Sequence, residues 1–146
     1  MPPEKSDLTQ SKSVQDFLKA VYSLQQHGER VSTNTLAEGL AVAAPSVTDM
    51  AQRLVTAGLI DYERYKGVLL TPTGESVALK MIRRHRLIEL YLVKELGYTL
   101  LEVHAEAEKL EHAVSDRFVE AVATKLGDPE LDPHGEPIPA PDGTMV

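Results

Sequence analysis

The stretch TLAEGLAVAAPSVTDMAQRLVTAGLI, residues 35–60, sets two runs of helical apolar spacing on either side of a few small residues, and it constrains the fold more than any other feature. Leu36, Ala37 and Leu40 in the first run, with Val47, Met50 and Leu54 in the second, form an apolar seam between two crossing helices. Ala41, Ala43 and Ala44 leave room for a close turn between them. Gly58 stops the second run, and two short strand-like runs follow at 59–62 and 67–71, separated by the charged turn 63–66.

Ahead of this unit, Ser13 can cap a helix that continues to about residue 26, with Val14, Phe17, Leu18, Val21 and Leu24 at helical spacing before His27-Gly28. Helix, helix, turn, helix and hairpin is the order of a winged helix-turn-helix. Ser46, Thr48, Asp49, Gln52 and Arg53 give its third helix a polar face able to meet phosphates and base edges. Arg64 and Lys66 stand at the tip of the wing, 61–71, for contacts to the DNA backbone. A plain amphipathic three-helix core with a hairpin is the competing reading. Asp49 would be repelled by phosphate unless it accepts from a cytosine amine.

The net charge of −7 is unusual for a nucleic-acid binder, but the charge is segregated. Arg64, Lys66, Lys80, Arg83, Arg84 and Arg86 cluster between 60 and 90, whereas 102–111 is strongly acidic. Such segregation suits two partners, a polyanion and a cation. With no cysteine, thiolate zinc and iron–sulfur sites are excluded, and any metal must use nitrogen and oxygen ligands. Aromatic content is only 5%, so the core must be aliphatic. No apolar run approaches the roughly 20 residues needed to span a bilayer, the first residues lack a signal-peptide pattern, and a cytoplasmic location without membrane association is expected.

Thr71-Pro72 reads as an N-cap followed by proline in the first helical turn, opening a long helix from 72 to 96. Gly97-Tyr98 interrupts it, and further helices are expected over 100–113 and 115–125. On the first of these, His104, Glu108, Glu111 and His112 occupy i, i+4, i+7 and i+8, one stripe beside the apolar stripe of Val103, Ala107, Leu110 and Val114. His85 and Glu89 repeat the i, i+4 pattern on the long helix. Partly buried carboxylates without lysine partners are costly unless a cation neutralises them, and this donor set suits a divalent metal. A solvated charged face is the alternative for any single pair. Asp16 is ambiguous by spacing, because a capping-box-like role beside Ser13 competes. His27 and His134 are assigned no ligand role.

These residues, with SVQDFLKAVYSL, LTPTGESVALKMIRRHRLIELYL, VHAEAEKLEH and DPHGEPIP in this order, resemble the diphtheria-toxin-repressor family of iron- and manganese-dependent regulators over about 13–139. The resemblance implies a primary, activating metal site of Asp16, Glu108, Glu111 and His112 with His85 contributing, and an ancillary site of His85, Glu89 and His104. Where the iron-responsive branch has sulfur ligands, this chain has Asp16 and Glu108, which favours Mn(II), then Fe(II), with Zn(II), Co(II), Ni(II) or Cd(II) binding in vitro. Lys19 stands where some manganese regulators have a glutamate, which puts a second, bridged ion in doubt. For DNA the resemblance favours Ser46, Thr48 and Arg53, with Pro45 against thymine methyls; a family member has Gln where Asp49 stands.

The expected fold is therefore mostly α with a small β-wing: a winged helix-turn-helix domain over 1–72 and a helical dimerisation and metal-binding domain over 73–140. A Pro-rich linker at 127–146 overlaps the latter, and the SH3-like domain of longer members is expected to be missing, as in a truncated chain. The expected function is metal-dependent repression of metal-uptake genes by a homodimer on palindromic operator DNA. Its dimer interface should come from the apolar faces of the last two helices. A carboxylate-bridged di-metal enzyme and a metal-independent interaction module are the alternatives. The first lacks the paired Glu-x-x-His spacing and any HExxH motif, so no enzyme activity is expected.

Overall fold

A computed structural model describes residues 8–25 and 28–145. The described elements are α1 (Lys12–Leu24), α2 (Thr33–Leu40), α3 (Ala44–Thr56), β1 (Ile60–Glu63), β2 (Gly67–Leu70), α4 (Pro72–Leu96), α5 (Val103–Glu111) and α6 (Asp116–Lys125). This is the mostly helical architecture with a small antiparallel wing. The chain divides into two compact units, Met1–Ala78 and Leu79–Val146, with the division inside α4. Among the described residues no helix is long and apolar enough to cross a membrane.

In the first unit, the cap of α1 lies two residues before the expected one. Ser11, not Ser13, accepts from the Val14 N–H at 3.5 Å. Val14, Phe17, Leu18 and Val21 are buried as the periodicity requires, while Leu24 at the helix end is exposed. Ser32 caps α2 by accepting from the Thr35 N–H at 3.1 Å. That helix closes at Ala41, whose φ of 56° is left-handed, a conformation that costs a residue with a Cβ roughly 1–2 kcal/mol. Pro45 sits in the first turn of α3, where a missing N–H loses nothing. Leu36, Ala37, Val47, Ala51 and Leu54 fill the seam between α2 and α3, and they share one core with α1 and with Leu59, Ile60 and Val68.

In the wing, Ile60 faces Leu70 and Glu63 faces Gly67 across the antiparallel pair. Val31 adds a bridge to Val68, with both N–H···O bonds at 2.9 Å. That approach explains Gly67: at a φ of 112°, a Cβ there would stand 2.2 Å from the Val31 oxygen. Thr71 caps α4, accepting from the Gly74 N–H at 3.1 Å and donating to the Gly58 carbonyl at 2.8 Å. Gly74 lies so close to β1 that a Cβ would meet the Leu59 oxygen at 1.9 Å.

In the second unit α4 is apolar on two sides. Leu87 and Leu90 pack with Val119, Val122, Ala123 and Ile138; Ile88 and Leu92 pack with Val103 and Ala107. The helix ends at Gly97, φ 75°, with the Tyr98 N–H reaching back to the Leu92 carbonyl at 3.0 Å. Ser115 caps α6 through the Phe118 N–H at 3.1 Å. The segment after Gly127 is non-helical, as its prolines require, but it packs back on its own unit. Ile138 is buried, Leu131 bridges Pro137, and Arg83 donates to the Pro139 carbonyl at 3.0 Å.

Candidate metal centre and nucleic-acid interface

Burial sets the chemistry of the second unit's polar cluster. Glu111, on the last turn of α5, is wholly buried, a position carboxylates take only when partnered. Its Oε2 lies 2.9 Å from His85 Nδ1, and its Oε1 lies 3.4 Å from His112 Nε2. The other nitrogen of His85 is 2.5 Å from Glu89 Oε1. The imidazole of His85 thus stands between two buried carboxylates. His104 packs edge-on against it, ring centroids 4.9 Å apart, and its Nε2 is 3.6 Å from Glu108 Oε1. His85, His104 and Glu108 present ligand atoms within 4.8 Å of one another. His112 caps the end of α5 rather than lying within it.

Arg84 fixes that helix end. It donates to the Glu111 carbonyl at 3.1 Å and the Val114 carbonyl at 2.5 Å, and it pairs with Asp116. The last carbonyl of α5 thereby gains a donor, and the main chain that carries Glu111 and His112 is tied to α4.

Glu89 connects the cluster to the tail. Burial on its own would raise its pKa. The hydrogen bond from His85 and the charges of His85, His134 and His104 outweigh that, and the carboxyl is held below its ordinary value of 4.5. Its Oε2 is buried without a hydrogen-bond partner among the described residues. His134 Nδ1 lies 3.7 Å from that oxygen, and Asp132 completes a group whose ligand atoms all lie within 4.8 Å of one another. The loop is built for this. Asp132 Oδ1 accepts from the N–H groups of His134 and Glu136, both at 2.8 Å, which turns the chain back on itself. Arg86 pins the return by pairing with Glu136 at 2.7 Å and donating to the Pro137 carbonyl. Sequence reasoning left His134 without a role and passed over Asp132, because a Pro- and Gly-rich tail carries no periodicity. The available signal was the Asp-Pro-His-Gly spacing, which fits an aspartate-nucleated turn. His27 lies outside the described residues.

The donor chemistry of these groups fits a divalent cation. They are carboxylates and imidazoles without sulfur, the carboxylates Glu89, Glu111 and Asp132 are buried, and one oxygen of Glu89 has no hydrogen bond among the described residues.

In the first unit, Asp16 lies in the second turn of α1, its side chain 24% exposed and 2.8 Å from Lys12 Nζ. With Ser11 as the cap, the capping-box alternative for Asp16 does not apply. On α3, Pro45, Ser46, Asp49 and Arg53 are exposed, and Thr48 is half-buried with its hydroxyl directed to the Ala44 carbonyl at 3.4 Å. Arg64 and Lys66 are exposed on the wing.

A winged helix-turn-helix, followed by helices that gather buried carboxylates and imidazoles, defines a metal-binding regulator of the DNA-binding class. Residues 8–68 match the N-terminal DNA-binding domain of the iron-dependent repressors, and residues 71–140 match their metal-binding and dimerisation domain. The chain belongs to the iron-dependent repressor family. It is 36% identical over 111 residues to an uncharacterised HTH-type transcriptional regulator of Methanocaldococcus jannaschii, covering 75% of this chain and 89% of that one. It is 32% identical over 126 residues to the diphtheria toxin repressor of Corynebacterium diphtheriae, covering 86% of this chain and 56% of the repressor. A solved manganese-dependent transcriptional repressor in complex with manganese superposes with a TM-score of 0.83 at 47% identity, covering 91% of this chain and 61% of that one. The chain therefore spans less than two thirds of the latter two proteins.

Proposed function

We propose that the protein is a divalent-metal-dependent repressor, binding palindromic operator DNA as a homodimer in the cytoplasm and controlling metal-uptake genes. The observation that carries this reading is the buried cluster around Glu111, His85 and His112 in a chain that also carries a winged helix-turn-helix. Asp16 joins Glu108, Glu111 and His112 as the activating ligand set, with His85 supporting Glu111. His85, Glu89 and His104 belong to an ancillary region, and Glu89, Asp132 and His134 offer it a further place for an ion. Hard oxygen ligands favour Mn(II), then Fe(II); Zn(II), Co(II), Ni(II) and Cd(II) are expected to bind in vitro. When bound, the ion supplies positive charge that cancels carboxylate repulsion. Asp16 then restrains α1, and the dimer presents its two α3 helices at the spacing of successive major grooves. Pro45, Ser46, Thr48, Asp49 and Arg53 meet the groove, while Arg64 and Lys66 meet phosphates.

Titrating Mn(II) into wild type and Asp16→Ala tests the ligand set through two readouts, metal affinity and duplex binding. Asp16→Ala is expected to need at least tenfold more Mn(II) for half-maximal duplex binding while keeping its fold. Identical Mn(II) dependence in the two proteins would remove Asp16 from the mechanism.

A further inference from the structure

The wing tip carries a side chain that neither the core nor the metal cluster uses. Tyr65 is 91% exposed, and its φ of 69° is a conformation that bulky L-residues rarely adopt. The guanidinium carbon of Arg64 lies 5.0 Å from the centroid of the Tyr65 ring, within cation–π range. Arg64 has no carboxylate partner among the described residues, although the same hairpin holds Asp61 and Glu63.

Arg30 explains that separation. It pairs with the Asp61 carboxylate, reaches Glu63 Oε2 at 3.2 Å, and donates to the carbonyls of Asp61 at 3.3 Å and Gly67 at 3.1 Å. One guanidinium thus contacts both wing acids and ties the two strands together at the base of the turn. Lys66 takes a remaining share of Glu63 at 3.9 Å. The tip beyond this brace keeps a cation that its neighbouring acids do not quench, lying over an aromatic face.

We propose that Tyr65 is a positioning residue for DNA binding. Its ring holds the Arg64 guanidinium ready for a backbone phosphate of duplex DNA, so that less side-chain freedom is lost when the contact forms. Arginine suits this role because its planar group stacks on an aromatic face and still offers its N–H edge to phosphate. Tyr65 thereby sets how much the wing adds to affinity without reading sequence. The inference rests on the DNA-binding reading of this unit.

The test uses the full-length chain loaded with Mn(II) and a labelled duplex enriched by the wild type from a random pool, with affinity followed across a KCl series. Arg64→Ala is expected to weaken binding about tenfold and to lower the slope of log K against log salt by about 0.9, the loss of one phosphate contact. Tyr65→Ala is expected to weaken binding about fivefold, and Tyr65→Phe, which keeps the ring, by less than twofold. The double variant Arg64→Ala/Tyr65→Ala should bind no more weakly than Arg64→Ala alone, because Tyr65 acts through Arg64. Wild-type affinity in Tyr65→Ala, or a full extra fivefold loss in the double variant, would overturn the proposal. Absence of any Mn(II)-dependent duplex binding by the wild type would instead defeat the DNA-binding reading on which it rests. Tyr65 is exposed, so thermal melting of each variant should match the wild type.

Discussion

Two buried carboxylates set the behaviour of the second unit at the scale of single residues. Removing one partner of a buried charged pair typically costs about 3–5 kcal/mol, and Gln keeps only one of the two acceptors that Glu111 turns toward His85 and His112. Glu111→Gln is therefore expected to cost about 3 kcal/mol without metal and to lose most of the melting-temperature rise that Mn(II) gives. Differential scanning calorimetry with and without Mn(II) checks both halves; a full metal-induced rise in the variant would remove Glu111 from the ligand set. Glu89 sets a pH dependence. Its folded pKa lies below the ordinary 4.5, so its ionised form adds stability above the unfolded value, and that contribution disappears as pH falls through the folded value. Metal-free Glu89→Gln should accordingly lose less stability than the wild type on acidification below pH 4.5, as urea melts at successive pH values would show. The stripe of His104, Glu108, Glu111 and His112 was legible because a helix converts spacing into a face. Asp132 and His134 were not, since their proximity to Glu89 depends on a turn made by one aspartate and on the anchoring of the chain by Arg86.

At the scale of elements, the sequence revealed those whose ends carry their own chemistry. Thr71-Pro72 opened α4 and Gly97 closed it as expected, because a hydroxyl cap and a left-handed glycine act locally. The start of α5 did not follow. Residues 99–102 form a turn in which Thr99 accepts from the Glu102 N–H, and Leu100 and Leu101 are left exposed, although both look like helical core residues in sequence. The start of α1 was misplaced by two residues because Ser11 and Ser13 are equally able to cap. Close approach between elements is also invisible in sequence, and Gly74 shows it. A methyl group there would stand 1.9 Å from the Leu59 oxygen, a main-chain atom that cannot rotate away. Gly74→Ala should cost about 3 kcal/mol through displacement of α4 from the wing, measurable by urea unfolding. A cost under about 0.5 kcal/mol would mean that the two elements part easily.

At the scale of the whole molecule, the second unit leaves apolar side chains in water that a monomer has no use for. Leu101 is 97% exposed, and Leu96, Leu100 and Phe118 are also exposed. In a family whose second domain is a dimerisation domain, these side chains are the expected subunit contact. Leu101→Asp/Phe118→Asp should sediment as a monomer while still binding Mn(II); a dimer of unchanged affinity would place the contact elsewhere. We propose that metal couples that dimer to DNA. The coupling is measured most directly by the fluorescence anisotropy of a labelled palindromic duplex, enriched by the protein itself, with full-length wild type in chelator and then across a Mn(II) titration. The expected result is no specific binding in chelator and saturable binding that rises with Mn(II), reversed when chelator is restored. Equal affinity with and without metal would contradict that coupling.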